Sequence, residues 1–95
     1  MIVEFKKSTR PDKRYMVVLS DGKKYHFGAI GGNTYIDSAT DAQRSAFLKR
    51  HLGNEKEKYN NTHLIPSPSL FAIRLLWGTS RNVKENIKAL NRLMK

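Results

Sequence analysis

K-S-T-R-P-D-K-R-Y-M-V-V-L-S-D-G-K-K-Y-H-F-G, residues 7–28, is the stretch of this sequence that decides the fold. Residues 15–19 are mostly aromatic or β-branched, and residues 24–27 alternate between polar and apolar side chains. Between them lies the dipeptide Asp21-Gly22, which favours two-residue type I′ turns because both residues tolerate a positive φ angle. The stretch therefore predicts a β-hairpin.

The hairpin also predicts a register and a buried face. If the aspartate-glycine dipeptide alone forms the turn, Val18 pairs with Tyr25 and Met16 pairs with Phe27. We expect these four side chains to share the face that packs on helices. Residues 2–6 alternate in the same way before a proline-containing turn, so they predict a third strand and an antiparallel meander.

Three later stretches have the caps and apolar spacing of helices. Each begins at a residue that caps helices well: Thr40 with Gln43 in a capping box, Ser67 before Pro68, and Asn82 with Glu85. The polar segment 54–63 shows no apolar periodicity and predicts the longest loop. The sequence thus predicts helices over 40–52, 68–77 and 82–94.

These elements predict an α+β fold in a single compact domain, residues 1–95, with a three-stranded antiparallel sheet in residues 2–28 and about three helices. The predicted core consists of Val3, Phe5, Met16, Val18, Phe27, Leu48, Leu52, Phe71, Leu75, Val83, Ile87 and Leu90.

Composition limits the possible functions. The 95-residue chain has 18 Lys and Arg against 8 Asp and Glu, a formal net charge of +10, and its natural partners are polyanions. The absence of cysteine excludes disulfides, thiolate nucleophiles and cysteine-based zinc sites. No apolar run approaches the roughly 20 residues that span a bilayer, so we expect a soluble protein.

One motif suggests an enzyme. Pro11-Asp12 followed by Asp21-Gly22-Lys23 superficially matches a metal-dependent nuclease pattern, whose chemistry needs two carboxylates on one metal ion. The predicted hairpin places Asp12 and Asp21 at opposite ends of a strand, roughly 30 Å apart, so an ordinary turn is the better interpretation. We predict no catalytic residue, metal site or cofactor, with a nuclease as a remote alternative.

The remaining motifs also favour structural roles. His26, His51 and His63 lack metal-ligand spacing, and the glycines after residue 27 lack the lysine and hydroxyl residue that complete a phosphate-binding loop. Trp77 is either a core residue or an exposed stacking platform, and its place beside an apolar helix favours the core.

Basic side chains are the one functional signal that remains. Phosphate contacts need flexible cations and no particular spacing, and the chain has no base-reading signature. We expect a nucleic-acid-binding surface formed by Lys6, Lys7, Arg10, Lys13, Arg14, Lys23, Lys24, Lys84, Lys88 and Arg92.

Four segments of this sequence serve as landmarks: K-S-T-R-P-D-K-R-Y-M-V-V-L, D-G-K-K-Y-H-F-G, L-L-W and the final N-V-K-E-N-I-K-A-L-N. Together they resemble a small uncharacterised family of basic proteins encoded by nucleocytoplasmic large DNA viruses. The resemblance implies no catalytic residues. It implies a virion protein, otherwise soluble in the cytoplasm or nucleus of the infected cell. Together with the net charge of +10, the resemblance leads us to expect a non-enzymatic protein that binds nucleic acid, such as viral DNA, without sequence specificity. The alternative is a minor capsid or assembly protein that docks on an acidic shell protein.

Overall fold

The computed structural model describes residues 1–94 and has an α+β architecture, as the sequence predicts. Three antiparallel strands form one sheet in the order β1-β2-β3, and helices pack on one of its faces. The strands are β1 (Ile2–Lys7), β2 (Lys13–Leu19) and β3 (Lys24–Ala29). The helices are α1 (Asp41–Leu52), α2 (Glu55–Thr62), α3 (Pro68–Phe71), which continues as a π-helical turn (Ala72–Leu76), and α4 (Val83–Met94).

The hairpin forms, but its register differs by one residue from the prediction. Val17, not Val18, pairs with Tyr25, and Leu19 N–H donates to the Lys23 carbonyl over 2.9 Å. The loop therefore has three residues and not two. Within this loop only Gly22 has a positive φ angle, +86°, which is the geometry of a type I turn followed by one left-handed residue.

This shift moves the two β2 residues of the predicted face to the other side of the sheet, while Tyr25 and Phe27 stay on the side of the helices. Val17 and Phe27 are buried against the helices. Met16 pairs with His26 and therefore lies on the opposite face, where it is buried outside the main core. Val18 lies on that face as well, paired with Lys24 and half-buried. The placement of Met16 and Val18 on the helix-facing side was wrong.

A bulge in β1 overturns a second core prediction. Ile2 pairs with Leu19 and Glu4 pairs with Val18, so Val3 is the extra residue between them. Its side chain is 62% exposed, whereas Ile2 is buried. The bulge breaks the strict alternation from which a buried Val3 was predicted.

The segment 54–63, where a loop was predicted, forms helix α2 with Asn54 and His63 as its caps. The Asn54 side chain accepts hydrogen bonds from the N–H groups of Lys56 and Glu57, at 3.0 and 3.1 Å, which caps α2. The buried Asn61 accepts a 2.6 Å hydrogen bond from Arg74 Nε and ties α2 to the π-helical turn. Polar contacts thus replace the apolar stripe whose absence predicted a loop.

The rest of the predicted core packs together. Phe27, Phe71, Leu75 and Leu90 are buried in one cluster, and Phe5, Leu48, Val83 and Ile87 pack against it half-buried. Leu52 is half-buried at the end of α1. The cluster also contains Trp77, for which the sequence favoured a core position, and six residues missing from the predicted core: Ile2, Val17, Leu19, Ala39, Leu70 and Leu76. Among residues 1–94, no helix combines the length and the apolar character that crossing a membrane requires.

Candidate polyanion-binding surface

The exposed side of α4 carries a row of cations. Asn82 accepts a 2.9 Å hydrogen bond from Lys84 N–H and so orders the first turn, while the apolar side of the helix packs on the core. Lys84, Lys88 and Arg92 follow at intervals of four residues, which places them in one sector, and all three are exposed. Within residues 1–94, no carboxylate lies within 4.0 Å of any of the three. We call these three residues the α4 ridge.

Two hydrogen bonds between Asn91 and Ile2 place the α4 ridge beside the sheet. Asn91 Oδ1 accepts from Ile2 N–H at 2.8 Å, and Asn91 Nδ2 donates to the Ile2 carbonyl at 3.1 Å. Ile2 in turn pairs with Leu19, the last residue before the β2–β3 turn. The exposed Lys23 and Lys24 follow that turn, so they lie at the same end of the sheet as Arg92.

A second group of predicted cations lies at the opposite end. Lys7 closes β1, Lys13 opens β2, and Arg10 lies in the turn between them, where its carbonyl accepts from Lys13 N–H. Because β2 has seven residues, about 20 Å of strand separates this group from Lys23 and Lys24. The structure thus divides the predicted residues into two groups.

Two predicted site residues are already paired. Lys6 Nζ lies 2.7 Å from Glu4 Oε1, an exposed surface pair that contributes little stability and that a phosphate can replace. Arg14 is different, because both of its terminal nitrogens donate to Asp37 at 2.6 Å and one also donates to the Gly32 carbonyl at 3.0 Å. We therefore assign Arg14 to the architecture of the loop after β3.

The Arg14–Asp37 pair organises that loop. Asp37 Oδ2 also accepts from the backbone N–H and the hydroxyl of Thr34, at 3.0 and 2.8 Å. The hydrogen bonds from Arg14 are the main reason why the pKa of Asp37 lies well below its usual range, and those from Thr34 act in the same direction against desolvation. The carboxylate side chain is 27% exposed, so water screens the pair only in part.

Asp37→Asn is expected to destabilise the protein at pH 7 by about 1–3 kcal/mol, since it weakens a charge-assisted network. Because folding lowers the pKa of Asp37, the carboxylate stabilises the fold fully above about pH 4, and this contribution falls as the pH falls further. Urea unfolding of both proteins at pH 7 and pH 3 should show the difference shrinking at pH 3. An equal difference at both pH values would contradict this role.

Asp12→Asn is the matched control. Asp12 is exposed and has no hydrogen bond or ion pair within residues 1–94. Its amide variant should change the free energy of unfolding by less than about 0.5 kcal/mol at either pH.

The carboxylates of the nuclease-like motif lie in different turns. Asp12 precedes β2, whereas Asp21 follows it and accepts a 3.0 Å hydrogen bond from Lys23 N–H. His26 Nδ1 is within 2.7 Å of Ser8 Oγ, and His51 Nδ1 is 3.2 Å from Glu57. Nowhere in residues 1–94 do three or more acidic or histidine side chains converge in a way that could hold a metal ion.

Trp77 lies in the core, only 8% exposed, with its ring stacked on Phe47 at 4.2 Å.

Two arginines that are not among the predicted site residues, Arg44 and Arg74, lie beside Trp77 at a cleft between helices. The sequence could have indicated an unusual position for Arg74, because it is the one charged residue in the apolar run L-F-A-I-R-L-L-W. No local pattern could have indicated the position of Arg44, because that position depends on a contact with Trp77, 33 residues away.

A family model matches part of the chain. The model of a family described as a family of unknown function (DUF5754) matches residues 3–51, which hold the sheet and most of α1. The α4 ridge lies outside the matched range. No curated protein and no solved structure matches the chain.

Proposed function

The chain belongs to a family of unknown function (DUF5754), and we propose that it is a small, non-enzymatic protein that binds nucleic acid without sequence specificity. No relative supplies an activity, so the proposal rests on the charges of this chain. The α4 ridge is the observation that carries it.

The α4 ridge is unfavourable for the isolated protein. Each of its cations has another four residues away on the same helix, and such like-charge pairs each destabilise a helix by about 0.2–0.5 kcal/mol. A phosphate backbone would remove this repulsion and release counterions on binding. Lys23 and Lys24, at the end of the sheet where Arg92 lies, would extend the contact along the same strand of nucleic acid.

Several features favour phosphate contact over base recognition. The ridge consists of long, flexible cations on the outside of a helix whose other side is committed to the core. The cations at the opposite end of the sheet, Lys7, Arg10 and Lys13, would meet a different segment of a long polyanion or a second molecule. Contacts of this kind position a protein on the backbone and carry no sequence information.

We further propose that the protein is viral and travels in the virion with the genome, which follows from the resemblance to proteins of large DNA viruses. The test is to compare the protein in intact particles with that in particles emptied of DNA. A nucleic-acid-binding protein should leave with the genome. Stoichiometric retention in emptied particles would contradict the proposal and favour a minor capsid protein.

A further inference from the structure

A cleft opens between α1 and α4 on the side of the protein where the helices lie. Its cavity has a volume of about 200 Å³. Leu48 and Leu52 of α1 line one wall, Ala89 and Leu93 of α4 line the other, and the π-helical turn forms the floor. Leu93 is 53% exposed at the rim, so apolar surface continues from the cavity to the outside.

Two arginines line this cleft without a carboxylate partner in the described part of the chain. Arg44 Nε donates to the carbonyls of Trp77 and Gly78, at 3.1 and 3.0 Å, and Arg74 uses Nε and Nη2 on Asn61. Both side chains are half-buried, and no aspartate or glutamate lines the cavity. Charged groups at partly desolvated positions are usually paired, so the two positive charges leave room for acidic groups of a ligand.

The size of the cavity indicates what fills it. Sites for complete small molecules usually have volumes of about 300–1,000 Å³, so this cavity is small for such a ligand. It suits one large apolar side chain, which is how protein partners commonly anchor themselves in a pocket. Arg74 also lies in a π-helical turn, a distortion found frequently at functional sites.

We infer that the cleft between α1 and α4 is a docking site for an acidic amphipathic segment of a partner protein. The segment inserts one large apolar side chain between the leucines of α1 and Leu93, and its carboxylates pair with Arg44 and Arg74. The combination of apolar walls and two guanidinium groups that have no carboxylate partner within residues 1–94 carries this inference, and it does not depend on nucleic-acid binding. A second copy of this basic chain would bring cations to the same place, which argues against it as the occupant.

The test uses the 95-residue protein and two synthetic 15-residue peptides that share one composition. One is a helix-forming peptide with leucine and phenylalanine on one face and glutamate on the other, and the second has the same residues in scrambled order. Trp77 is the only tryptophan in the chain and lines the cleft, so its fluorescence reports binding. Backbone amide NMR shifts locate the bound peptide. The amphipathic peptide should bind at least about tenfold more tightly than the scrambled one.

Two variants separate cleft binding from general attraction to acidic peptides. Ala89→Phe fills the cavity from an exposed position, and Leu93→Glu places a negative charge at the rim; each should weaken the amphipathic peptide by at least about tenfold. Ala46→Phe is the matched control, because Ala46 is exposed on α1 and does not line the cleft. It should change affinity by less than about twofold.

Four outcomes would overturn the inference. They are equal affinity for the two peptides, unchanged affinity in both cleft variants, NMR shifts from duplex DNA at Leu48 and Leu52, which line the cleft on α1 away from the α4 ridge, and binding at the cleft of phosphatidylglycerol vesicles without binding of the amphipathic peptide. The last two would assign the cleft to nucleic acid or to an anionic lipid surface.

Discussion

Gly78→Ala is expected to destabilise the protein by about 3–5 kcal/mol, a large part of the stability of a small domain. A Cβ atom on residue 78 would overlap the carbonyl oxygen of Arg74 and would lie 2.7 Å from Cγ and Oδ1 of Asn86. The Arg74 carbonyl belongs to the π-helical turn and has little freedom to move. The added methyl group would therefore displace the side chain of Asn86.

The side chain of Asn86 cannot move without losing buried hydrogen bonds. Its Nδ2 donates to the carbonyls of Leu75 and Ser80, at 2.9 and 2.8 Å, and its Oδ1 accepts from Ser80 N–H at 3.1 Å. These bonds join α4 to the end of the π-helical turn, and Asn86 is only 3% exposed. Each buried polar group left without a partner costs about 1–3 kcal/mol.

Thermal unfolding provides the measurement, with Gly22→Ala as the matched control. Gly22 has φ +86°, but nothing lies within 4 Å of a Cβ atom built there, so only backbone strain of about 1–2 kcal/mol is expected. For a domain of this size we expect the Tm to fall by about 5–15 °C in Gly22→Ala and by more than about 15 °C in Gly78→Ala. Equal Tm values for the two variants would contradict the account of this junction.

Replacement of Lys84, Lys88 and Arg92 together by glutamine is expected to weaken DNA binding strongly and to change its salt dependence. Each phosphate contact contributes about 0.9 to the slope of log affinity against log salt concentration, so loss of the α4 ridge should reduce the slope by about 2–3. The fold should remain intact, because all three side chains are exposed and relief of their repulsion stabilises the helix.

The control variant removes the same charge elsewhere. Lys49, Lys56 and Lys58 are exposed on α1 and α2, and their replacement by glutamine also lowers the net charge by three. If the ridge makes the contact, this variant should keep a slope within about 1 of the unmodified protein. An equal loss in both variants would mean that net charge alone, and not the ridge, drives binding.

Local sequence signals predicted the elements whose stability is local. The Thr40 and Gln43 capping box forms as expected and starts α1, since both hydrogen bonds lie within four residues. The aspartate-glycine dipeptide correctly predicted a hairpin but not its register. It can fill a two-residue turn or end a three-residue loop, and only the φ angles of Asp21 and Gly22 distinguish the two.

Features that depend on distant contacts were not predictable in the same way. α2 has no apolar stripe, and Asn61 joins it to Arg74, which is 13 residues away. β1 begins with two adjacent apolar residues, Ile2 and Val3, and the sequence does not indicate that a bulge turns Ile2 and not Val3 into the core.

The candidate surface likewise combines a feature that local sequence predicted with features that depend on distant contacts. The periodicity of α4 predicted that Lys84, Lys88 and Arg92 share one side of a helix. Their proximity to the β2–β3 turn depends on hydrogen bonds between Asn91 and Ile2, which are 89 residues apart. Arg14 shows the converse, because its sequence context indicated a free cation while the folded chain pairs it with Asp37.

The central claim is that the protein binds nucleic acid through its phosphates, and the most direct test is the affinity of the purified protein for two unrelated duplex DNAs at several salt concentrations. We predict equal affinities for the two duplexes within about threefold, because phosphate contacts carry no sequence information. We also predict a linear fall of log affinity with log salt concentration, with a slope of about −3 to −5 for contacts by the α4 ridge with Lys23 and Lys24. A slope near zero, or no binding at low salt, would contradict the account.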